Sequence, residues 1–368
     1  MRSTLDELAR ELEELRALVA SITPVNLALA EHHDSLVRQY LTIRRRFDYA
    51  AFVVALYASF EKFAENVVAA YVRLMALRSQ YSALPAGLIR KHMVKSAEIL
   101  IRGRLGEGRY VGVREIDVVK NLFECISGTS PYLLNEAAVV AHDSNLRFDE
   151  LGKLFSSIGL DQLGERARRG DSMMVWYCLS QGLSEPPQGG VPAATVQQRL
   201  DDLVERRNQV THRGGSPEEL LGTAEMTDLV DFVDAFARSL YSATVSLYLL
   251  GRYVASSEAL QLRLLEGPYK NGTVVVVEKP ARRLYVGQPI FVLVEGTGAR
   301  WGRILGIQLQ GVSIDAVEVA DPAVEVGLEV GFKCPKTAEL FVLDAGDDVV
   351  WDPATLDGPT ETVATTDG

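Results

Sequence analysis

Glu205-Arg206-Arg207-Asn208-Gln209-Val210-Thr211-His212-Arg213-Gly214-Gly215 is the stretch from which the rest of the chain can be read. At 3.6 residues per turn, Val196, Leu200, Leu203, Val204 and Val210 fall on one side of a helix over 196–211. Arg207 projects from the middle of that apolar stripe, where an arginine needs a partner or a task, because burying an unpaired charge is costly. Asn208 and His212, four residues apart, stack along the stripe's edge. Two glycines then stop the helix.

Downstream, Ser216-Pro217-Glu218-Glu219 reads as a capping box that restarts the chain at once, so His212 is expected in a tight turn between two helices. The next helix, 218–257, is apolar on much of its surface and long enough to close a helical bundle. Upstream, Leu5, Leu8, Leu12, Leu15 and Val19 mark an amphipathic helix. After Pro24 a second helical region is expected over 25–79, interrupted near Arg44-Arg45-Arg46-Phe47-Asp48, with a core segment over 48–72. A further helix is expected over 84–104. Shorter helices follow over 115–190, one of them capped by Ser144 or Asn145. The run 182–190, with Pro186, Pro187 and a Gly-Gly pair, reads as a connector.

Past Leu265 the period changes. Short runs rich in Val and Ile at 272–278, 289–294, 302–310, 323–328 and 338–343 are separated by Gly, Pro, Asn and Asp. The fold class is therefore α+β: a mainly α-helical bundle over 1–262, with its core at 30–258, then a small β-barrel or β-sandwich over 266–345. An acidic tail over 346–368, poor in apolar residues, is expected to be disordered.

The net charge of −11 is unevenly placed, since residues 344–368 hold seven acids and no Lys or Arg. A nearly balanced body can still meet an acidic ligand through local arginine clusters, although long non-specific duplex binding is disfavoured. Arg102, Arg104, Arg109 and Arg114 form one such cluster, which is either a solvated surface or a phosphate contact. No uninterrupted apolar run reaches membrane-spanning length. The acidic start Met1-Arg2-Ser3-Thr4-Leu5-Asp6-Glu7 argues against export, and cytoplasmic residence is the expectation. Three separated cysteines, Cys125, Cys178 and Cys334, suggest neither a disulfide framework nor zinc.

None of the five histidines has a partner at metal-ligand spacing, and phosphate loops, dinucleotide fingerprints and nucleophile elbows are absent, so no metal or other cofactor is expected. Arg207, Asn208 and His212 remain as the one compact polar constellation. Taken alone it also fits an ordinary helix end, where Arg and protonated His favour the negative pole of the dipole. Glu61, set among Tyr57, Phe60 and Phe63, is either a solvated carboxylate or the group that orients Arg207.

Arg207-Asn208 followed by His212 resembles the Arg-x(4–6)-His motif of the HEPN superfamily, helical domains of which many are metal-independent ribonucleases. Two further segments are similar to its RiboL-PSP branch: Leu56-Tyr57-Ala58-Ser59-Phe60-Glu61-Lys62-Phe63, and His142-Asp143-Ser144-Asn145-Leu146-Arg147 leading into Leu154-Phe155-Ser156-Ser157-Ile158-Gly159-Leu160. The resemblance spans about 30–250 and leaves the strand-rich part outside. Where related sequences often carry Ala-His-Gly, this chain has Thr211-His212-Arg213-Gly214. The resemblance implies an endoribonuclease cutting single-stranded or loop RNA, tRNA being one candidate, in a bacterial defence or toxin system. Arg207, His212 and Asn208 would be catalytic, Glu61 supporting, and Arg206 and Arg213 would bind RNA. It also implies a homodimer, with an antitoxin or a phage-derived trigger protein as a further partner and no role for a membrane. The alternative is a non-catalytic dimeric module that binds a partner protein. The strand-rich part is expected to sense or to set specificity.

Overall fold

Helical periodicity over the first two thirds and short β-branched runs over the last third produce two compact units, Met1–Tyr241 and Ser242–Gly368. The computed structural model describes all residues except 103–104, 108–109, 213–219, 295–297, 320–324, 337–338, 347–349 and 352–368, and gives the backbone alone at His212.

In the first unit α1 (Arg2–Ala30) and α2 (Ser35–Ala76) lie against each other. The α1 stripe Leu8, Leu12, Leu15 and Val19 is buried, as its spacing requires. Pro24 does not end this helix. A proline in a helix leaves the carbonyl four residues earlier without its N–H partner, and here the surrounding turn is open to water, which can take that carbonyl. The break falls instead at 31–34, where the Asp34 carboxylate accepts from the Leu36 amide at 2.7 Å and caps α2. The expected interruption at 44–48 is also absent, because Arg44 and Asp48 pair across one turn at 2.8 Å and α2 runs through.

α3 (Ala86–Arg102), α4 (Glu115–Ser127), α5 (Glu136–Val139), α6 (Phe148–Ser156), α7 (Leu163–Ala167) and α8 (Asp171–Gln181) follow, then α9 (Ala193–His212) and α10 (Thr223–Leu249). Residues 220–222 are not helical, so α10 starts later than the capping reading of 216–219 places it, and the 216–219 segment lies outside the described residues, as do Gly214 and Gly215. The Glu225 carboxylate accepts from the Gly222 amide at 2.7 Å at this entry. An aromatic centre joins the helices: Phe60 meets Phe236 with ring centroids 6.1 Å apart, Phe236 stacks on Phe232 at 5.9 Å, and Trp176 meets Phe232 at 5.1 Å.

The second unit carries strands β1 (Leu260–Leu262), β2 (Leu264–Tyr269), β3 (Val274–Glu278), β4 (Leu284–Tyr285), β5 (Pro289–Val294), β6 (Gly298–Leu309), β7 (Val312–Ile314), β8 (Ala316–Val317), β9 (Glu325–Val330) and β10 (Glu339–Val342). They pair antiparallel in the order β1-β10-β5-β6-β9-β3-β2, with β7 beside β6 and a separate β4-β8 pair. The long strand β6 (Gly298–Leu309) pairs with β5 (Pro289–Val294) along its first half and with β9 (Glu325–Val330) along its second. A register shift between Ile304 and Gly306 separates the two halves. An irregularity of this kind bends and twists a strand, and the sheet curls into a half-barrel around Val275, Ile290, Val292, Ile304, Leu328 and Leu340. The α+β class stands. Within the acidic tail Trp351 is buried, and its indole N–H donates to the Gly302 carbonyl at 2.7 Å. The residues beyond it lie outside the described residues.

Candidate active site

Val196, Leu200, Leu203 and Val204 are fully covered and Val210 nearly so, leaving Arg207 half-buried at the end of the stripe. α9 rests on α2, and this brings the Arg207 guanidinium over the Tyr57 ring, 5.4 Å from its centroid. Arg207 Nη1 donates to Asn208 Oδ1 at 3.2 Å, and Asn145 Nδ2 donates to the same oxygen at 2.8 Å. With its oxygen held twice, Asn208 keeps its own amide N–H groups available. Among the described residues they have no protein partner, nor do the remaining N–H groups of Arg207. Such a cluster of donors beside a fixed positive charge suits an anion with several oxygens.

Under Arg207 the hydroxyl of Tyr57 donates to Glu61 Oε1 at 2.7 Å and accepts from the Leu146 amide at 2.9 Å. Burial, the hydrogen bond to Glu61 and the Glu61 charge all push the phenol well above its ordinary pKa, so it stays neutral. Glu61 therefore does not orient Arg207 by a direct ion pair. One turn apart on α2, Tyr57 and Glu61 meet each other first, and the carboxylate reaches the guanidinium through the ring that carries it.

Behind Glu61 stands His142, whose Nε2 is 2.9 Å from Glu65 Oε1 and 3.7 Å from Glu61 Oε1. Its Nδ1 is 2.7 Å from the Ser144 carbonyl oxygen, which can only accept. Both ring nitrogens thus face acceptors, the arrangement that holds an imidazolium. Burial works against the charged ring. The hydrogen bonds to Glu65 and Ser144, with the charges of Glu65 and Glu61, outweigh it and hold the pKa above the ordinary histidine value.

The segment 142–147 crosses between α2 and α9. Ser144 and Asn145 do not cap α6. Its first amide, Phe148 N, is taken at 3.3 Å by the Asp201 carboxylate of α9, while Asn145 is committed to Asn208. Arg147 reaches Glu205 at 3.1 Å.

Arg206 is engaged on another side of α9, with Asp202 at 2.7 Å and the Tyr49 hydroxyl at 3.0 Å. Of the arginine cluster, Arg114 forks onto Asp117 and Arg102 lies 3.7 Å from Glu98, so both face carboxylates. Arg104, Arg109, Arg213 and the His212 side chain lie outside the described residues; the His212 backbone completes α9. Tyr57 and His142 are candidate site residues to which the sequence assigns no role, and Asn145 one to which it assigns only a helix cap. Their partners on other elements are 63 to 150 residues away, and the local signal is the one-turn spacing of Tyr57, Glu61 and Glu65.

A second buried histidine is structural. His92 Nε2 accepts from the Asn135 amide and its Nδ1 meets the Tyr81 hydroxyl, both at 3.0 Å, while Asn135 is bonded to Ser96 and Val118. Burial lowers its pKa to about 4.

Among the described residues no helix is long and apolar enough to cross a membrane, and no group of His, Cys, Asp and Glu is placed to hold a metal. A family model described as RiboL-PSP-HEPN matches residues 6–246. No curated protein and no solved structure matches the chain.

Proposed function

The chain belongs to the RiboL-PSP-HEPN family, and from that membership we propose that it is a metal-independent endoribonuclease acting on single-stranded or loop RNA. The family indicates an RNA-related role, and HEPN domains are commonly ribonucleases. The observation that carries the finer reading is Arg207, held over Tyr57 and beside Asn208 with further N–H groups that no described residue takes.

In this reading a ribose 2′-oxygen attacks the adjacent phosphorus, the bond from phosphorus to the 5′-oxygen breaks, and a 2′,3′-cyclic phosphate remains. Arg207 and the Asn208 amide hold the phosphate oxygens as negative charge grows on them, commonly the largest catalytic term. His212, the one motif residue able to exchange a proton near neutral pH, removes the 2′ proton or supplies one to the departing oxygen. A twofold pair of chains would give one cleft two histidines and two arginines. Arg206 enters as an RNA contact by exchanging Asp202 for phosphate, and Arg213 adds a further positive charge to the motif. The reading extends to a bacterial defence or toxin setting, with an antitoxin or a phage-derived trigger as partner. The test is cleavage of RNA in EDTA by the purified protein. Wild type should cut, and R207A and H212A should not.

A second reading, a dimeric interaction module without catalysis, has its own supporting observation. Leu36, Tyr40, Ile43 and Phe47 form an exposed apolar stripe along the first half of α2, at spacings that suit a partner helix. A dimer by mass in solution combined with inert behaviour toward RNA would favour that module.

A further inference from the structure

We propose that His142 is a positioning residue for the Arg207–Asn208 pair, acting as the cationic pin of a strap that joins α2 to α9. The proposal rests on the ribonuclease reading only for its activity test. Three of the strap's fastenings lie at the site: His142 to Glu65 and Glu61, the Leu146 amide to Tyr57, and Asn145 to Asn208. Two of these bear directly on the pair, since Tyr57 is the surface under Arg207 and Asn145 holds the oxygen to which Arg207 donates.

His142 sits where the strap meets the carboxylates, and only 8% of its side chain is exposed. Carboxylates this close repel one another unless a positive charge lies between them. With a neutral ring, Glu61 would turn from His142 and draw the Tyr57 hydroxyl with it, and the ring carrying Arg207 would tilt. The charged groups facing this position are Glu61 and Glu65 from α2, Lys91 and Lys95 from α3, and Asp143 from the strap itself. Lys95 is bonded to Asp143 at 2.6 Å and to Glu98 at 3.0 Å, and Lys91 lies 3.4 Å from the Ser157 hydroxyl. Lys91 also feels the Glu65 charge, and His142 Nε2 is the group set 2.9 Å from Glu65 Oε1 and 3.7 Å from Glu61 Oε1. Its raised pKa extends the charged state toward higher pH, and the positioning should fade as pH rises through that value.

The test uses the full chain and two readouts. Cleavage of single-stranded RNA in EDTA is followed against pH for wild type, H142Q and H142K. H142Q should lose roughly tenfold in kcat with KM little changed, as expected for misplacement away from the reacting atoms. It should also lack the part of wild type's alkaline fall that follows the His142 titration, keeping any limb set by His212, and H142K should recover part of the rate without the His142 part. Independently, the Arg207 Nε–H resonance, identified by its loss in R207K, should shift with the same midpoint as the His142 ring. Circular dichroism confirms that each variant is folded, and E65Q, which leaves the histidine in place, should weaken both effects. If Arg207 follows His142 but wild type does not cut RNA, the positioning stands and the ribonuclease reading falls. If wild type cuts, H142Q keeps its rate and pH profile, and Arg207 ignores the His142 titration, the positioning role is overturned.

Discussion

Tyr57→Phe removes one oxygen from the centre of the site and leaves the ring that supports Arg207 in place. That oxygen is bonded twice, donating to Glu61 and accepting from Leu146. Leu146 is fully buried, so its amide would be left without an acceptor at a cost of about 1–3 kcal/mol. The Glu61 carboxylate is a quarter exposed, and water would replace part of the lost bond, adding about 1 kcal/mol. Together the helical unit should lose about 2–4 kcal/mol, below the loss for Tyr57→Ala, which also opens a cavity under Arg207. Urea denaturation followed by helical circular dichroism measures this. The midpoint should fall with the slope unchanged. Pairing the substitution with E61Q in a double-mutant cycle should return a coupling of about 1 kcal/mol. A loss below about 0.5 kcal/mol, or strict additivity with E61Q, would refute the bonding scheme beneath Arg207.

Two histidines give stability opposite dependences on pH. His92 holds its folded pKa near 4, below the unfolded value, so its contribution is complete above the ordinary histidine pKa and is lost as pH falls toward 4; the loss should be about 3 kcal/mol and absent in H92Q. His142, with a raised pKa, contributes fully below the ordinary value and loses that contribution as pH rises through its folded pKa, a limb that H142Q should remove. Asp201→Ala removes the acceptor at the start of α6 and should cost about 1 kcal/mol in the same urea assay, with Asp201→Asn recovering part of it.

The helices and their buried faces were legible wherever periodicity was strong. Val196, Leu200, Leu203 and Val204 share one buried stripe, as their spacing predicts, and the interruption of that stripe by Arg207 points to the candidate site. Punctuation misled where exposure altered its meaning. Pro24 lies in an open turn that tolerates it, and Arg44 and Asp48 stitch α2 across an expected break. Of the strands, β3, β5, β6, β9 and β10 were visible as β-branched runs, whereas β4 and β8, two residues each, have no period to detect. The partners of the site were the least legible part. Tyr57, Glu61 and Glu65 share a helix face, but nothing local in the sequence links them to His142, or Asn145 to Asn208, because tertiary packing alone brings α2, the strap and α9 together.

The most direct measurement is the chemistry of RNA ends after incubation with the purified full chain in EDTA. Wild type should leave 2′,3′-cyclic phosphates facing 5′-hydroxyl ends, and R207A and H212A should leave the RNA whole. Intact RNA with wild type, or the same cuts made undiminished by both variants, would contradict a ribonuclease centred on Arg207 and His212.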